Sequence, residues 1–214
     1  MPGAWEAQPP LMLIGIPNTN LVTINWALGL RSMWFPPATD VRGWSGLPID
    51  VSRNACVKNA RDTRAKYLLF LDSDVVCDRT DWIKCLMDLQ QPIVSGLYWS
   101  KKGHPGMWKV DGEDYVPITE WPRGSMIEVD AVGAGALLIE TRVFDVLDKL
   151  GLKPYFKWEI DDPANIGHNK SEDFHFCKLA KQAGFNIMVD TAIEMHHEQN
   201  IAWDIQGQAS IRND

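Results

Sequence analysis

Two aspartates follow the most apolar run of the sequence, residues 67–71, and are separated by one serine in Asp72-Ser73-Asp74. Two carboxylates that approach each other repel unless a cation lies between them. Carboxylate oxygens suit a hard divalent cation such as Mg²⁺ or Mn²⁺, which often keeps coordination positions for phosphate oxygens. The pair therefore predicts a metal site, or alternatively a polar turn in which Asp78 or Thr80 caps the next helix.

Two further groups of polar residues are able to do chemistry. Glu172-Asp173 follows Ser171 at the start of a predicted helix, where acidic side chains favour the helix dipole without any catalytic role. An aspartate there is equally able to accept a proton from an attacking hydroxyl group. His196-His197 follows the last predicted strand, and this pair is either part of a polar loop or a source of neutral imidazole for a metal ion.

Apolar runs without alternation, at residues 11–16 and 67–71, predict strands that are buried on both faces of a sheet. The first run feeds a loop, after which Asn20 is predicted to cap a helix with an apolar stripe of Leu21, Ile24 and Leu28. Strand, loop and helix in this order predict a βαβ unit. The predicted strands cover about 11–16, 40–44, 67–71, 93–98, 127–132, 136–139 and 185–189. The predicted helices cover about 21–31, 52–64, 82–89, 141–151 and 171–183.

Residues 107–110 and 115–118 flank Asp111-Gly112-Glu113-Asp114. An Asp-Gly pair between two extended segments is typical of a tight β-hairpin turn. We therefore expect a small hairpin that lies off the main sheet.

Composition limits the possible classes of protein. The 214 residues, of which 45% are hydrophobic, predict one globular α/β domain over residues 1–214. A formal charge of −7 argues against nucleic-acid binding through a general basic surface. The four cysteines have no C-x-x-C spacing, which indicates thiols in a reducing compartment. No apolar run is long enough for a signal peptide or a transmembrane segment, so we expect a cytoplasmic protein.

Several short motifs occur in a characteristic order: Leu13-Ile14-Gly15-Ile16-Pro17, Ser52-Arg53-Asn54, Phe70-Leu71-Asp72-Ser73-Asp74, Gly133-Ala134-Gly135-Ala136-Leu137-Leu138-Ile139, Ser171-Glu172-Asp173 and a late histidine. In this combination, residues 11–197 resemble nucleotide-sugar-dependent glycosyltransferases of the GT-A fold, of the family 2 type. The resemblance implies a single Rossmann-like GT-A domain with a mixed, mostly parallel sheet flanked by helices. Its nucleotide-binding part would cover about 11–100, and its acceptor and catalytic part about 101–200.

The resemblance also implies roles for the acidic residues. Asp72 and Asp74 would form the D-x-D motif that holds Mn²⁺ or Mg²⁺ against the donor diphosphate, with Asp74 on the metal and Asp72 on the metal or ribose. His197 would be the third metal ligand, with the neighbouring His196 as the alternative. Glu172-Asp173 would be the catalytic pair, in which Asp173 deprotonates the acceptor.

Other residues are predicted to contact the donor or the acceptor. The nucleotide-binding set comprises Pro17, Asn18, Arg53, Asn54 and Ser73, and the sugar-binding set comprises Trp99, Gly133 and Gly135. Free N–H groups in the first turn of a helix favour anions near Arg53-Asn54, although an exposed arginine and a capping asparagine also explain this pair. The glycines permit close approach of a ligand or simply form a bulge. Trp99 is able to stack on a sugar ring or to pack within the protein.

The predicted function is metal-dependent transfer of a hexosyl group from a UDP- or GDP-sugar to a carbohydrate or other hydroxyl acceptor. An acidic base candidate favours inversion, although retaining enzymes share the fold and the D-x-D motif. One alternative is a sugar nucleotidyltransferase, but the loop Pro17-Asn18-Thr19-Asn20 lacks the glycine-rich, basic character expected there. The other is a non-catalytic carbohydrate-binding protein on a transferase scaffold, which the ten tryptophans favour.

Overall fold

Residues 8–99, 103–112, 114–159, 170–198, 200–203 and 209–212 are described by a computed structural model of the chain. Over these residues the helices are α1 (Ile24–Ser32), α2 (Ile49–Asp62), α3 (Trp82–Asp88), α4 (Arg142–Lys149) and α5 (Glu172–Gln182). The strands are β1 (Met12–Asn18), β2 (Thr39–Ser45), β3 (Tyr67–Leu71), β4 (Val75–Val76), β5 (Ile93–Trp99), β6 (Met107–Asp111), β7 (Asp114–Pro117), β8 (Met126–Val129), β9 (Ala131–Val132), β10 (Ala136–Glu140), β11 (Ile187–His197), β12 (Asn200–Trp203) and β13 (Ala209–Arg212). None of the described helices is long and apolar enough to cross a membrane.

The main sheet has the strand order β2-β1-β3-β10-β5-β11-β4, and β8 also pairs with β11. β1 is parallel to β2 and β3, and β5 is parallel to β11. β10 is antiparallel to both of its neighbours, β3 and β5. The predicted α/β class with a mixed, mostly parallel sheet is confirmed.

The core is formed by fully buried strands and the helices that cover them. All five residues of β3 are buried, as the unbroken apolar run predicts. Helix α2 lies very close to β1. A Cβ atom added at Gly15 of β1 would be only 2.7 Å from the Sγ atom of Cys56 in α2. Phe156 stacks on Phe176 of α5 and meets Phe70 of β3 edge-on, so aromatic packing ties α5 to the end of the central strand.

The predicted hairpin is confirmed as β6 and β7, which form a three-stranded sheet with β9. Gly112 in its turn has a φ of 63°, which glycine adopts without steric cost. Trp108 and Tyr115 of the hairpin pack on Phe174, with ring centroids 4.9 and 4.6 Å apart. The hairpin therefore supports α5, the helix that begins with the acidic pair.

The first two helices begin elsewhere than predicted. α1 begins at Ile24 and is capped by Thr23, whose hydroxyl accepts a hydrogen bond from the Trp26 backbone N–H. Leu21, Ile24 and Leu28, the predicted apolar stripe, are 74, 77 and 54% exposed, and Trp26 faces the core instead. α2 begins at Ile49, so Ser52 lies inside the helix and does not cap it. These two cap assignments and the stripe are wrong.

The last strand of the main sheet, β11, extends further than the predicted strand over residues 185–189. β11 continues past Val189 to His197, and its residues alternate between buried and more exposed positions. Its end pairs with β4, which places His197 opposite Val75 and His196 opposite Val76. The histidine pair therefore lies on a strand beside the D-x-D segment, and the predicted polar loop at this point is wrong.

Candidate active site

The D-x-D segment forms a tight turn between β3 and β4. The N–H of Val75 donates to the carbonyl of Asp72 at 3.1 Å, and the N–H of Asp72 donates to the carbonyl of Gly135 at 2.8 Å. The indole Nε1 of Trp26 also donates to the Asp72 carbonyl, at 3.0 Å. The chain thus turns at Asp72 instead of continuing extended, and Trp26 of α1 holds the turn in place.

The turn brings Asp74 next to the end of β11. The N–H of Glu198 donates to the Asp74 carbonyl at 2.7 Å. The Nδ1 atom of His197 lies 2.8 Å from the carbonyl oxygen of Trp99. Because a carbonyl oxygen only accepts, Nδ1 carries a proton, so in the neutral imidazole Nε2 is the nitrogen that is able to bind a metal, which is the usual arrangement of a metal-binding histidine. This contact favours His197 over the exposed His196 as a ligand.

Arg53 connects the two acidic motifs. Its side chain is only 2% exposed. Nη2 donates to Asp72 Oδ2 at 3.1 Å, and Nε donates to Glu172 Oε1 at 3.2 Å and lies 3.4 Å from Asp173 Oδ1. Nη1 donates to the carbonyl of Ala134 at 3.2 Å. One buried guanidinium therefore joins Asp72 to Glu172, which lies 119 positions from Arg53 in sequence, and the nucleotide-binding role of Arg53 stays a prediction.

Arg53, Asp72, Glu172 and Asp173 form a cluster of three carboxylates and one cation. Burial raises the pKa of Asp173 well above its usual range, Glu172 and Asp72 raise it further, and Arg53 opposes the shift. Burial by itself would lower the pKa of Arg53, but the three carboxylates raise it instead. The Oδ1 atoms of Asp72 and Asp173 are buried without a hydrogen-bond partner in the described part of the chain. Asp173 is therefore a stronger base than an exposed aspartate once it is ionised.

The two predicted sugar-binding glycines make room for side chains of the protein. A Cβ atom at Gly133 would lie 1.4 Å from the Tyr98 hydroxyl, and one at Gly135 would lie 3.3 Å from Asp72 Oδ2. Tyr98 is buried, and burial, followed by the charges of Asp173 and Asp72, raises the pKa of its hydroxyl. Tyr98 thus belongs to the cluster, and the sugar contacts of both glycines stay predictions.

Replacing Gly133 with alanine is expected to destabilise the protein by about 1–3 kcal/mol, because the backbone or Tyr98 must move to admit the methyl group. Combining it with Tyr98→Phe should remove part of that cost, since the hydroxyl is the atom in closest conflict, while the ring carbon Cζ would still lie 2.7 Å from the added Cβ. Urea unfolding of both single variants and the double variant measures the coupling. Gly29→Ala in α1 is the control, because a Cβ there meets no atom closer than 4.0 Å. Equal costs of Gly133→Ala with and without the Tyr98 hydroxyl would contradict the assigned clash.

The two predicted nucleotide-binding asparagines both order loops. Asn18 Nδ2 donates to the Ile16 carbonyl at 3.0 Å, and Asn18 Oδ1 accepts from the Asn20 N–H at 3.0 Å. Asn54 Nδ2 donates to the carbonyl of Phe156 at 2.7 Å, and Asn54 Oδ1 accepts from the N–H of the same residue. Asn18 lies at the end of β1, whereas Asn54 holds the loop after α4. Their contacts with a nucleotide stay predictions.

The remaining predicted contacts lie around the turn and the neighbouring strand ends. Pro17 is in β1, and Ser73 is half-buried in the turn between β3 and β4. Trp99 ends β5, is partly exposed, and lies 6.2 Å from Trp121 between ring centroids. Its carbonyl is the acceptor of His197. The pair of indole rings beside the histidine is an apolar surface on which a ring is able to stack.

The donor chemistry at this end of the sheet fits a hard divalent cation, since it combines carboxylate oxygens with a neutral imidazole. The unpartnered Oδ1 of Asp72 agrees with such a role. In the described ranges, however, no three His, Cys, Asp or Glu side chains are close enough together to hold a metal ion. Binding by Asp72, Asp74 and His197 therefore stays a prediction.

No family model matches the sequence, and no curated protein matches it. Among solved structures, the chain is similar to A197 from STIV, with a TM-score of 0.58 and 17% identity over 95% of this chain and 94% of that chain. It is also similar to GalNAc-T7 solved with UDP, GalNAc and Mn²⁺, with a TM-score of 0.58 and 12% identity over 87% of this chain and 42% of that chain. These similarities show a shared fold, the GT-A fold.

Proposed function

We propose that this protein is a metal-dependent glycosyltransferase that moves a hexosyl group from a UDP- or GDP-sugar to a hydroxyl acceptor, with inversion at the anomeric carbon. The observation that carries the proposal is the Arg53 network, which joins Asp72 of the D-x-D turn to Glu172 and Asp173. The predicted donor-binding motif and the predicted base thus have a common ion-pair partner, Arg53. The fold shared with GalNAc-T7 supports the same class of reaction.

Asp74, Asp72 and His197 are the residues that would hold Mn²⁺ or Mg²⁺. When bound, the cation would offset the negative charge that develops on the nucleoside diphosphate leaving group. Asn18, Pro17 and Ser73 would contact the nucleotide, since they lie at the carboxyl ends of β1 and β3, where ligands of open α/β sheets bind. Trp99 would stack on the donor or acceptor sugar.

Asp173 would act as the general base. It accepts the proton of the acceptor hydroxyl while that oxygen forms a bond to the anomeric carbon, and the bond from this carbon to the diphosphate oxygen breaks. Arg53 holds the Asp173 carboxylate from one side, 3.4 Å from Oδ1, and so limits its rotation. Glu172 is bound to the same guanidinium and positions the start of α5.

Stabilisation by a nucleoside diphosphate is expected to require a divalent cation, because the carboxylates of the cluster and the turn would otherwise repel the diphosphate. The measurement is the melting temperature with UDP, GDP and their sugars, each with and without Mn²⁺. Mn²⁺ alone and free sugars alone are the controls. The same stabilisation in excess chelator would contradict the D-x-D assignment, and stabilisation by free sugar alone would favour a carbohydrate-binding protein.

A further inference from the structure

A second cleft, of about 1180 Å³, lies between α2 and the beginning of α4, and the segment from Lys153 to Tyr155 closes one side. Its walls include Val51, Asn54 and Lys58 of α2. Arg53 of the same helix points instead to the buried carboxylates and forms no part of the cleft. Asp72, Glu172 and Asp173 do not line the cleft either, so it lies outside the acidic cluster, and Asn54 is the one predicted nucleotide-binding residue in its described wall.

The cleft is positively charged although the chain is acidic. Its lining includes five basic residues, Lys58, Arg61, Arg64, Lys66 and Lys153, and two acidic ones, Asp62 and Asp145. The whole chain has a formal charge of −7. A local excess of cations inside a concave surface raises the local concentration of anions.

Two of these cations have no carboxylate partner within the described residues, and the ammonium of one of them, Lys66, lies 4.9 Å from the ring centroid of Tyr67. Lys58 pairs with Asp62, and both Arg61 and Lys153 pair with Asp148. Arg64 and Lys66 are exposed, and neither forms an ion pair within the described ranges. They flank Ala65 in the turn that leads from α2 into β3, so both charges lie at one end of the cleft.

Arg64 occupies a backbone position that favours glycine. Its φ is 58°, in the left-handed region, directly after the C-cap residue of α2. The equivalent positions after α4 and α5 are Gly151 and Gly184, with φ of 71° and 83°. An arginine at such a position costs conformational energy that glycine avoids. The wall of the cleft thus includes an arginine, Arg64, whose backbone conformation is strained.

We propose that this cleft binds a phosphate-bearing ligand, whose phosphate group pairs with Arg64 and Lys66. The planar fork of an arginine matches phosphate oxygens, and a lysine adds a mobile second charge. The cleft is larger than a phosphate group, and Val51, Pro154 and Tyr155 supply surface for the rest of the ligand. The competing explanation is that these cations only balance the negative end of the α2 dipole, and it predicts no binding.

The test uses two probes that present phosphate in different ways: inorganic tripolyphosphate, and phosphatidylcholine vesicles with and without phosphatidic acid. Both are measured in excess chelator, so that cation-dependent binding at the D-x-D turn does not contribute. Titration calorimetry reports tripolyphosphate binding, and co-sedimentation reports vesicle binding. Binding of tripolyphosphate identifies a soluble ligand, and binding only to phosphatidic acid vesicles identifies a lipid headgroup. Neither readout depends on sugar transfer, so this site is tested independently of the proposed activity.

Arg64→Gly is the informative variant, because removal of left-handed strain should leave its melting temperature no lower than that of the unchanged protein. Its affinity for the probe should fall at least about tenfold, since a charge-assisted hydrogen bond is lost. Gln90→Gly is the matched control, because Gln90 also follows a helix C-cap residue, with a φ of 51°, and does not line the cleft. Absence of binding to both probes, or equal affinity of Arg64→Gly and the unchanged protein, would overturn the proposal.

Discussion

Replacing Arg53 with methionine is expected to destabilise the protein by about 3–5 kcal/mol at neutral pH, the usual cost of removing one partner from a buried ion pair. The guanidinium is the shared partner of Asp72, Glu172 and Asp173. Without it, these partly or fully buried carboxylates face one another with no compensating cation. Denaturant unfolding of the purified variant gives the loss of unfolding free energy.

The Arg53→Met loss should depend on pH. Loss of Arg53 removes the charge that opposes the raised pKa of Asp173, so this pKa in the folded state rises further above its unfolded value. The ionised form of such a group costs stability, so the deficit should shrink as the pH falls through the folded pKa towards the unfolded value of about 4. Adding Glu172→Gln should recover part of the loss. Arg42→Gln, which removes an exposed pair with Asp40, is the control and should have little effect. A deficit that is constant across pH would refute the electrostatic explanation.

Fully buried strands were the elements that the sequence predicted best. β1, β3 and β10 coincide with unbroken apolar runs, because both faces of these strands are covered and no alternation is needed. The hairpin of β6 and β7 was equally predictable, since the Asp-Gly turn is a local signal. In these segments, the local sequence and the tertiary structure favour the same conformation.

The prediction of α1 failed because Asn20 and Thr23 are both suitable capping residues, and contacts with a distant part of the chain favour Thr23. The Thr23 hydroxyl caps the helix and also bonds to Glu198, and Asn25 bonds to the same carboxylate. No local pattern reveals a partner that is 175 positions away. Trp26 is likewise fixed by its bond to the Asp72 carbonyl. These contacts select a face of the helix that leaves Ile24 exposed.

The length of β11 was predictable in principle. Ile187, Val189, Thr191, Ile193 and Met195 are buried and alternate with more exposed residues, which is the pattern of a strand with one covered face. The predicted strand ends at Val189 because mainly polar residues occupy the other face of β11 beyond that point. It would have placed His197 on a strand rather than in a loop.

The sequence predicts which residues would form the candidate site, but it does not predict the contacts that connect them. The order of motifs indicated Asp72 and Glu172-Asp173 as functional residues, but nothing local indicates that Arg53 is buried between them. Arg53 contacts Asp72 and Glu172, which lie 19 and 119 positions away from it in sequence. These contacts exist only in the folded chain. Tyr98 was missed for the same reason, since its role depends on the space left by Gly133.

Two isosteric variants should separate donor binding from catalysis. Asp74→Asn is expected to abolish the gain in stability that nucleoside diphosphate and Mn²⁺ provide, because Asp74 would hold the cation. With ligand at about a hundred times its dissociation constant, that gain is about 2.7 kcal/mol. Asp78→Asn, at an exposed aspartate just beyond β4, is the matched control and should retain the full gain. Melting temperatures with and without ligand give the comparison, and a full gain in Asp74→Asn would remove this residue from the metal site.

Asp173→Asn is expected to keep the stability gain from donor and metal but to lose turnover by roughly a hundredfold or more, because an amide does not accept the proton of the acceptor hydroxyl. The raised pKa of Asp173 in the folded state means that its ionised form costs stability above its unfolded pKa. The asparagine variant should therefore be at least as stable at neutral pH, and its advantage should grow as the pH rises. Nucleoside diphosphate release with acceptor present measures turnover. Normal turnover by this variant would return Glu172-Asp173 to a purely structural role at the start of α5.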